Sequence, residues 1–582
     1  MKQIRFCFYK TRMAVILSSV FCALTGLAQE SLSDRLSYVL THQDMGEGFE
    51  LYNQITDKDL QQLSDSDLFN YHYLGAYLNT DNFTDNPNHE KAISHLKEAK
   101  RLCETSLGIY LPSYMEIMKA LGDEYLEEGK FEDALSIYEE GLIKSMAIRE
   151  NAPQFFANLI MGVQECYENL GLFSEVPNHL MDAWGFWDRD IEPLQSYSYF
   201  PLWSLEQFYY KYEFFENALK INDEIIKFIK EKGVINHPEM AEALYFRGNL
   251  LTNLNKYEEA IPTYRQALQI LDSNGLTDED IYAYLLGNIV TASAETDSIK
   301  LTFDILDEIK TYGLKNNNSE IYKNALYSTA NKLNARGCYD VALSLNLQLK
   351  DVTLTDRERA IIEEQTNNIT FNKEIIETLP QLNESFKSFA LNSIEWFDIG
   401  HKLASAYFIS NEKGKMLDVL KQMYSVIKLD NTIGKDYYYW ILNNLYGISL
   451  ELGDNNDALL YALEKWQYVS SITDIPDDIS FLAINNLVVA KLRSSQLEGI
   501  DAYLDKYNVL CVTLYGDNSK EYSVYLHNVG RAYQLQGNLN EAKRNYLLAN
   551  TLHIKNVGKA NPLTIQYLAE VEEQLVDEGL DL

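Results

Sequence analysis

The sequence predicts an all-α fold, a right-handed superhelix (α-solenoid) of about twelve helical hairpins. Apolar residues recur three and four positions apart nearly everywhere after about residue 65, and short Gly, Asn and Asp turns separate the periodic segments. Alternating apolar and polar stretches, which would predict strands, are missing. One pattern of small and large residues also repeats along the chain, which is typical of a stacked array.

The repeated pattern is clearest in residues 121–142, LGDEYLEEGKFEDALSIYEEGL. Its members lie 3, 7, 12 and 16 residues after an anchor, Gly122, and the same offsets recur after Gly530 and, less completely, after Gly248. A small residue also follows 19 positions after each of the three anchors, Gly141 in the first copy. The members that match are Tyr125, Gly129, Ala134 and Tyr138; Ala260, Tyr264 and Ala267; and Tyr533, Gly537, Ala542, Tyr546 and Ala549.

This pattern resembles the tetratricopeptide repeat, a pair of antiparallel helices, here termed the first and the second helix. The resemblance implies that small residues such as Gly122 and Ala134 let the two helices approach closely, while Tyr125 and Tyr138 fill the space beside them. Some copies resemble the 42-residue variant of the repeat found in kinesin light chains, because Gly516 and Gly558 are 42 residues apart.

The chain divides into six segments by composition and repeat quality. Residues 351–430 are amphipathic but lack the small residues, so they predict diverged helical hairpins, or a hinge, between two halves of the array. In chain order the prediction is a signal peptide at 1–28, an N-terminal cap region at 29–64, arrays at 65–350 and 431–556 on either side of the diverged 351–430, and a C-terminal capping helix at 557–582.

Residues 1–28 predict export. A basic start with Lys2, Arg5, Lys10 and Arg12 precedes an apolar run of about 16 residues that ends in Gly26-Leu27-Ala28, which fits a cleaved signal better than a membrane anchor. The periplasm is the favoured destination, with an extracellular or outer-membrane-associated location as the alternative. Lipidation of Cys22 remains open, although Phe precedes it and makes a poor acylation motif.

Charge and cysteine content narrow the possible partners. The formal net charge of −35 disfavours binding to nucleic acid or anionic lipid. The cysteines outside the signal lack any C-x-x-C spacing, so neither a zinc site nor a disulfide framework is predicted. Zinc-protease, phosphate-loop and nucleophile-elbow motifs are also missing from the sequence. We therefore expect a non-enzymatic chain without a cofactor or a metal.

The resemblance implies that a ligand contacts first-helix residues around each anchor, in a concave groove. The residues that map onto such positions are Glu116, Lys119, Asp123 and Glu127 in the Gly122 copy; Glu242, Tyr245, Asn249 and Asn253 in the Gly248 copy; and His527, Arg531 and Gln534 in the Gly530 copy. Because these three sets differ in charge, the array does not repeat one site for a peptide terminus. The predicted function is a scaffold for a protein or peptide partner.

Two aromatic clusters, residues 197–215 and 437–440, leave alternatives open. They predict either packing between repeats or a surface that grips a peptide or a glycan. One alternative function is a glycan-binding protein related to the outer-membrane starch-uptake lipoproteins, which also contain these repeats. The other is a sensory repeat module that acts in trans with a signalling protein.

Overall fold

A computed structural model describes most of residues 31–577. The predicted signal peptide, with Cys22, and the last five residues of the predicted capping segment lie outside the described residues. The residues left out are 1–30, 43–44, 82, 85, 110–111, 147–152, 188–195, 278–279, 317, 351, 353–354, 430–434, 474, 559 and 578–582.

The regular structure of the described residues is helical throughout, which confirms the predicted all-α array of hairpins. The chain forms two compact units, residues 1–205 and 206–582. The first unit holds α1 (Leu32–His42), α2 (Met45–Gln54), α3 (Asp57–Leu60), α4 (Asp65–Tyr77), α5 (His89–Leu102), a π-helical turn (Cys103–Leu107), α6 (Pro112–Glu127), α7 (Phe131–Ser145), α8 (Pro153–Leu170), α9 (Glu175–Phe186), a 3-10 turn (Ser196–Tyr199) and the start of α10 (Phe200–Lys211).

The second unit continues the array from the remainder of α10. Its helices are α11 (Phe215–Glu231), α12 (Pro238–Asn253), α13 (Tyr257–Ser273), α14 (Asp280–Ala294), α15 (Ile299–Lys315), α16 (Ser319–Ala335), α17 (Tyr339–Lys350), α18 (Asp356–Ser388), α19 (Ile394–Ile409), α20 (Lys413–Leu429), α21 (Lys435–Glu451), α22 (Asn455–Ser470), α23 (Asp477–Arg493), α24 (Ile500–Tyr515), α25 (Lys520–Leu535), α26 (Leu539–Val557) and α27 (Pro562–Asp577). In the described part of the chain, none of the helices is both long and apolar enough to cross a membrane.

Hairpin packing builds the cores of both units. In the first unit, Leu36, Val39, Leu51 and Leu74 bury the short N-terminal helices against α4, where the sequence predicts a cap region. In the described residues the helices from α4 to α26 form eleven hairpins and one unpaired helix, α18. This count is close to the twelve hairpins that the sequence predicts.

The segment predicted as diverged hairpins, 351–430, contains one continuous 33-residue helix, α18, followed by a single hairpin of α19 and α20. Thr355 and Glu358 start α18 with reciprocal side-chain to backbone hydrogen bonds. No glycine lies between residues 356 and 388, so the residue that adopts a left-handed turn most readily is missing from this helix. Pro380 lies inside the helix.

A left-handed residue marks the turn between the two helices of most hairpins. Gly129, Gly171, Glu213 and Asn255 have positive φ and follow one another at intervals of 42 residues. A second series with the same interval comprises Asn411, Gly453, Ser495 and Gly537. Only glycine adopts this conformation without steric penalty, yet four of the eight residues carry a side chain. The fold therefore imposes the conformation at this register.

The anchor glycines set how closely the two helices of a hairpin approach. A Cβ on Gly530 would lie 2.8 Å from the ring of Tyr546, and one on Gly122 or Gly248 would overlap the ring of Tyr138 or Tyr264. In the hairpin of α21 and α22, the two equivalent positions hold Tyr446 and Ala462, both buried in one core cluster. The large and small partners have exchanged helices there. Both arrangements pair one large residue with one small residue, so they fill a similar volume.

We predict opposite effects for two glycine substitutions on neighbouring first helices. Gly248→Ala should destabilise the protein by about 1–3 kcal/mol, because its Cβ meets the Tyr264 ring. Gly287→Ala should stabilise it by about 0.5–1 kcal/mol, because this helical glycine has no neighbour within 4 Å of an added Cβ. Urea unfolding followed by circular dichroism measures both. A shift of the same sign in the two variants would contradict the close-approach explanation.

Candidate protein-binding face

The first helices of neighbouring hairpins contact one another in each unit. In the first unit α6 contacts α8, and in the second unit α12 contacts α14 and α23 contacts α25. In every hairpin, the anchor is the first-helix position equivalent to Gly122. The first-helix face is the surface formed by the side chains that lie six residues before the anchor, three residues before it, and one to five residues after it. All eleven sequence-predicted groove residues map onto this face, and the structure shows which of them other groups already engage.

In the Gly122 copy, two of the four predicted groove residues are engaged within the hairpin. Lys119 forms an ion pair with Asp123, which also accepts a hydrogen bond of 2.6 Å from the buried Tyr138 hydroxyl. Removing the Asp123 carboxylate would leave that hydroxyl without its acceptor, which destabilises a folded state. Glu127 is exposed, and burial raises the pKa of Glu116. Glu116 and Glu127 are therefore better placed than Asp123 to meet a partner.

The Gly248 copy repeats this arrangement with neutral groups. The carboxamide oxygen of Asn249 accepts a hydrogen bond of 2.8 Å from the Tyr264 hydroxyl and another of 2.7 Å from the Asn288 amide on the next first helix. Tyr245 is half-buried and Asn253 is exposed. Asn249 therefore connects the core of its own hairpin to the neighbouring hairpin. Tyr245 and Asn253 lie on the same helix, before and after it.

In the Gly530 copy, the three predicted groove residues contact the closing helix α27 or the core. His527 Nδ1 lies 2.9 Å from the Thr564 hydroxyl, and the Arg531 guanidinium lies 4.2 Å above the ring of a tyrosine of α27. Gln534 Oε1 accepts hydrogen bonds from Tyr546 and Arg531. Burial, followed by the charge of Arg531, lowers the pKa of His527 to about 4. This end of the face is largely covered by the chain itself.

A polar group on the second helix that donates to a first-helix acceptor recurs along the array, and the sequence analysis missed it. The signal was available for two copies, because the tyrosine follows its acceptor by 15 residues in both. The donor and acceptor pairs are Tyr138 with Asp123, Asn222 with Glu206, Tyr264 with Asn249, Lys465 with Asn443, and Tyr507 with Asn485. The core therefore fixes the orientation of polar side chains on the first-helix face.

Two carboxyl groups of first helices, Glu206 beneath the first-helix face and Glu242 on it, have raised pKa values. Glu206, 2% exposed, occupies the anchor position in α10, and its Oε1 accepts a hydrogen bond of 2.8 Å from Asn222 Nδ2. Burial raises the pKa of Glu206 to about 8, and the charge of Glu242 contributes to the increase. Burial, with a contribution from Glu239, raises the pKa of Glu242 to about 7. Glu206 and Asn222 occupy the positions that hold glycine and tyrosine in other hairpins, so the repeated pattern of small and large residues does not include them.

The two aromatic clusters are mainly packing residues. Tyr199, Phe208 and Tyr212 are buried in the first cluster. In the second, Tyr437 stacks on Phe397 with ring centroids 5.3 Å apart, and Tyr438 and Tyr439 are half-buried. Trp440 differs because it is half-buried on the first-helix face, where its ring meets His401 edge-on at 4.4 Å.

The described residues contain no group of three or more His, Cys, Asp or Glu side chains that could hold a metal ion. Cys103, Cys166, Cys338 and Cys511 are free thiols, and all except Cys338 are buried. Burial raises the pKa of Cys103 and Cys511 to about 11 and that of Cys166 to about 12. These three thiols are therefore protonated at neutral pH and pack as small apolar residues.

Comparison with known families identifies the repeats. Family models for the tetratricopeptide repeat match residues 85–142 and 241–274. The chain therefore contains tetratricopeptide repeats, as the repeated pattern of small and large residues predicts. The matched segments include two of the three anchors, Gly122 and Gly248. A search of curated protein sequences gives no match.

Solved helical-repeat structures resemble the chain only distantly. A structure of Naa15/Naa10 bound to HypK-THB has 12% identity and a TM-score of 0.24, covering 94% of this chain and 78% of that one. The APC/C hetero-tetramer Cut9–Hcn1 has 13% identity and a TM-score of 0.23, covering 80% and 91%. The TPR domain of P58(IPK) has 14% identity and a TM-score of 0.19, covering 66% and 99%. Values this low add nothing to what the helices themselves show.

We predict that stability falls as pH rises, through Glu206. A carboxyl whose pKa is raised on folding keeps its proton in the folded state after the unfolded chain has lost it, so the free energy of unfolding decreases between about pH 4.5 and pH 8. One pKa unit corresponds to about 1.4 kcal/mol, so the loss should reach at least about 2 kcal/mol. Urea unfolding at pH 5 and pH 8 measures it.

Glu206→Gln should reduce this slope, because a carboxamide keeps the shape and the hydrogen bond to Asn222 without titrating, and the slope that remains includes the contribution of Glu242. The matched control is Glu127→Gln, a change of the same chemistry at an exposed carboxylate, which should keep the wild-type slope. Equal slopes in the wild type and Glu206→Gln would refute the assignment of the pH dependence to this residue.

Proposed function

We propose that the chain is an exported, non-catalytic scaffold that binds a protein partner along the first-helix face. The observation that carries the proposal is that first helices of neighbouring hairpins contact one another within each unit, α6 with α8 in the first, and α12 with α14 and α23 with α25 in the second. Each hairpin cannot bury its apolar sides alone, so stacking creates the core and an extended surface together. Tetratricopeptide repeats at 85–142 and 241–274 support an interaction role.

The side chains on this face favour recognition of one extended sequence. Equivalent positions carry Glu116, Glu242 and Tyr284 in three hairpins, so each hairpin offers a different contact. Polar groups such as Asn249 are held by core donors, which lowers the entropy lost when a partner binds. The first-helix face therefore favours a partner segment that runs across several hairpins.

We further propose that the partner is met after export, in the periplasm. This proposal rests on the sequence of residues 1–28, a basic start followed by an apolar run and a small-residue cleavage site.

The first-helix face can be tested by photo-crosslinking in cells. A benzoylphenylalanine at Tyr284, 61% exposed on the first helix α14, should give a covalent adduct with one partner protein. The matched control is the same residue at Leu347, equally 61% exposed but on the second helix α17. We expect at least about fivefold more adduct at Tyr284. Equal yields at both positions would contradict binding through the first-helix face.

Export can be tested separately by intact mass spectrometry of the protein expressed in a Gram-negative host. We expect the periplasmic protein to begin at Gln29, because Gly26 and Ala28 are the small residues that signal peptidase selects. A mass that retains residues 1–28 would refute cleavage. A mass beginning at Cys22 with added acyl groups would instead establish a lipoprotein.

A further inference from the structure

An apolar row crosses the first-helix face in the C-terminal part of the second unit. Trp440, Leu482 and Val524 each lie six residues before the anchor of their hairpin, at intervals of 42 residues, on α21, α23 and α25. Leu482 is 49% and Val524 36% exposed, and Trp440 is half-buried. We call these three residues the apolar row. The equivalent position in an earlier hairpin of this unit is Glu242, so the row is a local feature.

Asparagines three residues further along α21 and α23 flank the apolar row. Asn443 Oδ1 accepts a hydrogen bond of 2.7 Å from Lys465 Nζ, and Asn485 Oδ1 accepts one of the same length from the Tyr507 hydroxyl. Both donors come from second helices, so each amide oxygen is directed toward the core. The N–H groups of a carboxamide point away from its oxygen, which leaves them as donors beside the apolar row. Asn443 is exposed and Asn485 half-buried.

The spacing of the row determines the shape of a ligand that could contact all three residues. Packed helices lie about 8–10 Å apart, and α23 contacts α25, so Leu482 and Val524 are separated by about that distance. Trp440 lies one hairpin earlier at the same 42-residue interval. A segment in the polyproline II conformation advances about 3.1 Å per residue with three residues per turn, so its every third side chain lies on the same face, at about the spacing of the row. In a β-strand, side chains three residues apart point to opposite faces. A helical ligand advances only about 1.5 Å per residue and would need about five to seven residues for the same distance. An extended segment in the polyproline II conformation, with an apolar side chain at every third residue, matches the row.

Charge indicates the remaining side chains of that segment. Carboxylates precede the two exposed members of the apolar row. In the first turn of α23, exposed Asp477 and Asp478 lie five and four residues before Leu482. In the first turn of α25, half-buried Glu521 lies three residues before Val524. The chain as a whole carries a formal charge of −35, so a second copy would be repelled and a basic partner attracted. Lysine or arginine between the apolar residues of the segment would complement these carboxylates.

We propose that the apolar row binds an extended, basic segment of a partner protein that carries an apolar side chain at every third residue, with its main-chain carbonyls accepting from Asn443 and Asn485. The inference rests on the proposed scaffold function and names the class of segment that the scaffold would bind. Burial of two or three apolar side chains supplies the affinity, and the asparagine donors fix the register.

Two labelled peptides of identical composition test the spacing, with fluorescence anisotropy as the readout. One carries leucine at every third position, with lysine, glutamine and proline between, and the other carries the same leucines at every second position. The first should bind the mature protein at least about tenfold more tightly, and its affinity should fall as salt increases. Equal affinity for the two peptides would overturn the proposal.

A pair of double variants tests the location. The double variant Leu482→Ser with Val524→Ser should lower the affinity for the first peptide at least about tenfold. The matched control is Leu460→Ser with Val512→Ser, residues 45% and 41% exposed on the second helices α22 and α24, which should change affinity by less than about twofold. An equal loss in both pairs would overturn the proposal.

Two further measurements distinguish a peptide occupant from a second copy of the chain, and the apolar row from the rest of the first-helix face. A molar mass by light scattering that halves in the Leu482 and Val524 variant would show that a second copy covers the apolar row, which would overturn a peptide occupant. Crosslinking at Tyr284 that persists while the peptides fail to bind would leave the scaffold function standing and reject the apolar row as its peptide site.

Discussion

The close contact between one small and one large residue, a first-helix glycine and a second-helix ring in three copies, is the constraint on which these hairpins depend. At Gly122, Gly248 and Gly530 a single methyl group would enter the space of a tyrosine ring. The ring of Tyr138 also lies against Gly162 of the next hairpin, so one side chain sets the distance within a hairpin and between two of them. Because interiors are packed to near-crystalline density, this distance then determines where every neighbouring side chain lies.

The same tyrosines connect the core to the surface. Their rings fill the interior, while their hydroxyl groups end at first-helix acceptors such as Asp123 and Asn249. A buried hydroxyl needs a partner, so the polarity of the face at these positions follows from the packing beneath it. In the hairpin of α21 and α22, Ala462 holds the position of the tyrosine, and Lys465, three residues further along, is the donor instead. Burial lowers the pKa of Lys465 to about 8, and Asn443 receives its hydrogen bond. Binding residues and packing residues are therefore partly the same residues.

The sequence allowed the fold class to be predicted, because glycine, alanine and tyrosine at fixed offsets leave few packings other than a hairpin. It did not reveal α18, since the loss of the repeated small-residue pattern between 356 and 388 is as compatible with diverged hairpins as with a single long helix. The sequence also did not reveal Glu206. A carboxyl and an amide replace glycine and tyrosine in this hairpin, so the repeated pattern of small and large residues is lost there. For the candidate site, the positions followed from the register. Which of these residues are already hydrogen-bonded within the protein did not follow from the register, because a hydrogen bond such as that of Asp123 depends on side-chain geometry in three dimensions.

The 33-residue length of α18 affects how folding spreads along the second unit. In an array where each element contacts only its neighbours, stability is a sum of intrinsic and interface terms. Ile362 and Ile369 are buried in the N-terminal half of α18, which packs on α17, and Phe386 is buried near its C-terminal end, which packs on α19. Pro380, which lacks a backbone N–H, separates these two patches. Cooperativity between the hairpins before and after α18 therefore passes through one helix and its hydrogen-bond ladder. Pro380 is the point at which the unit can melt in two steps.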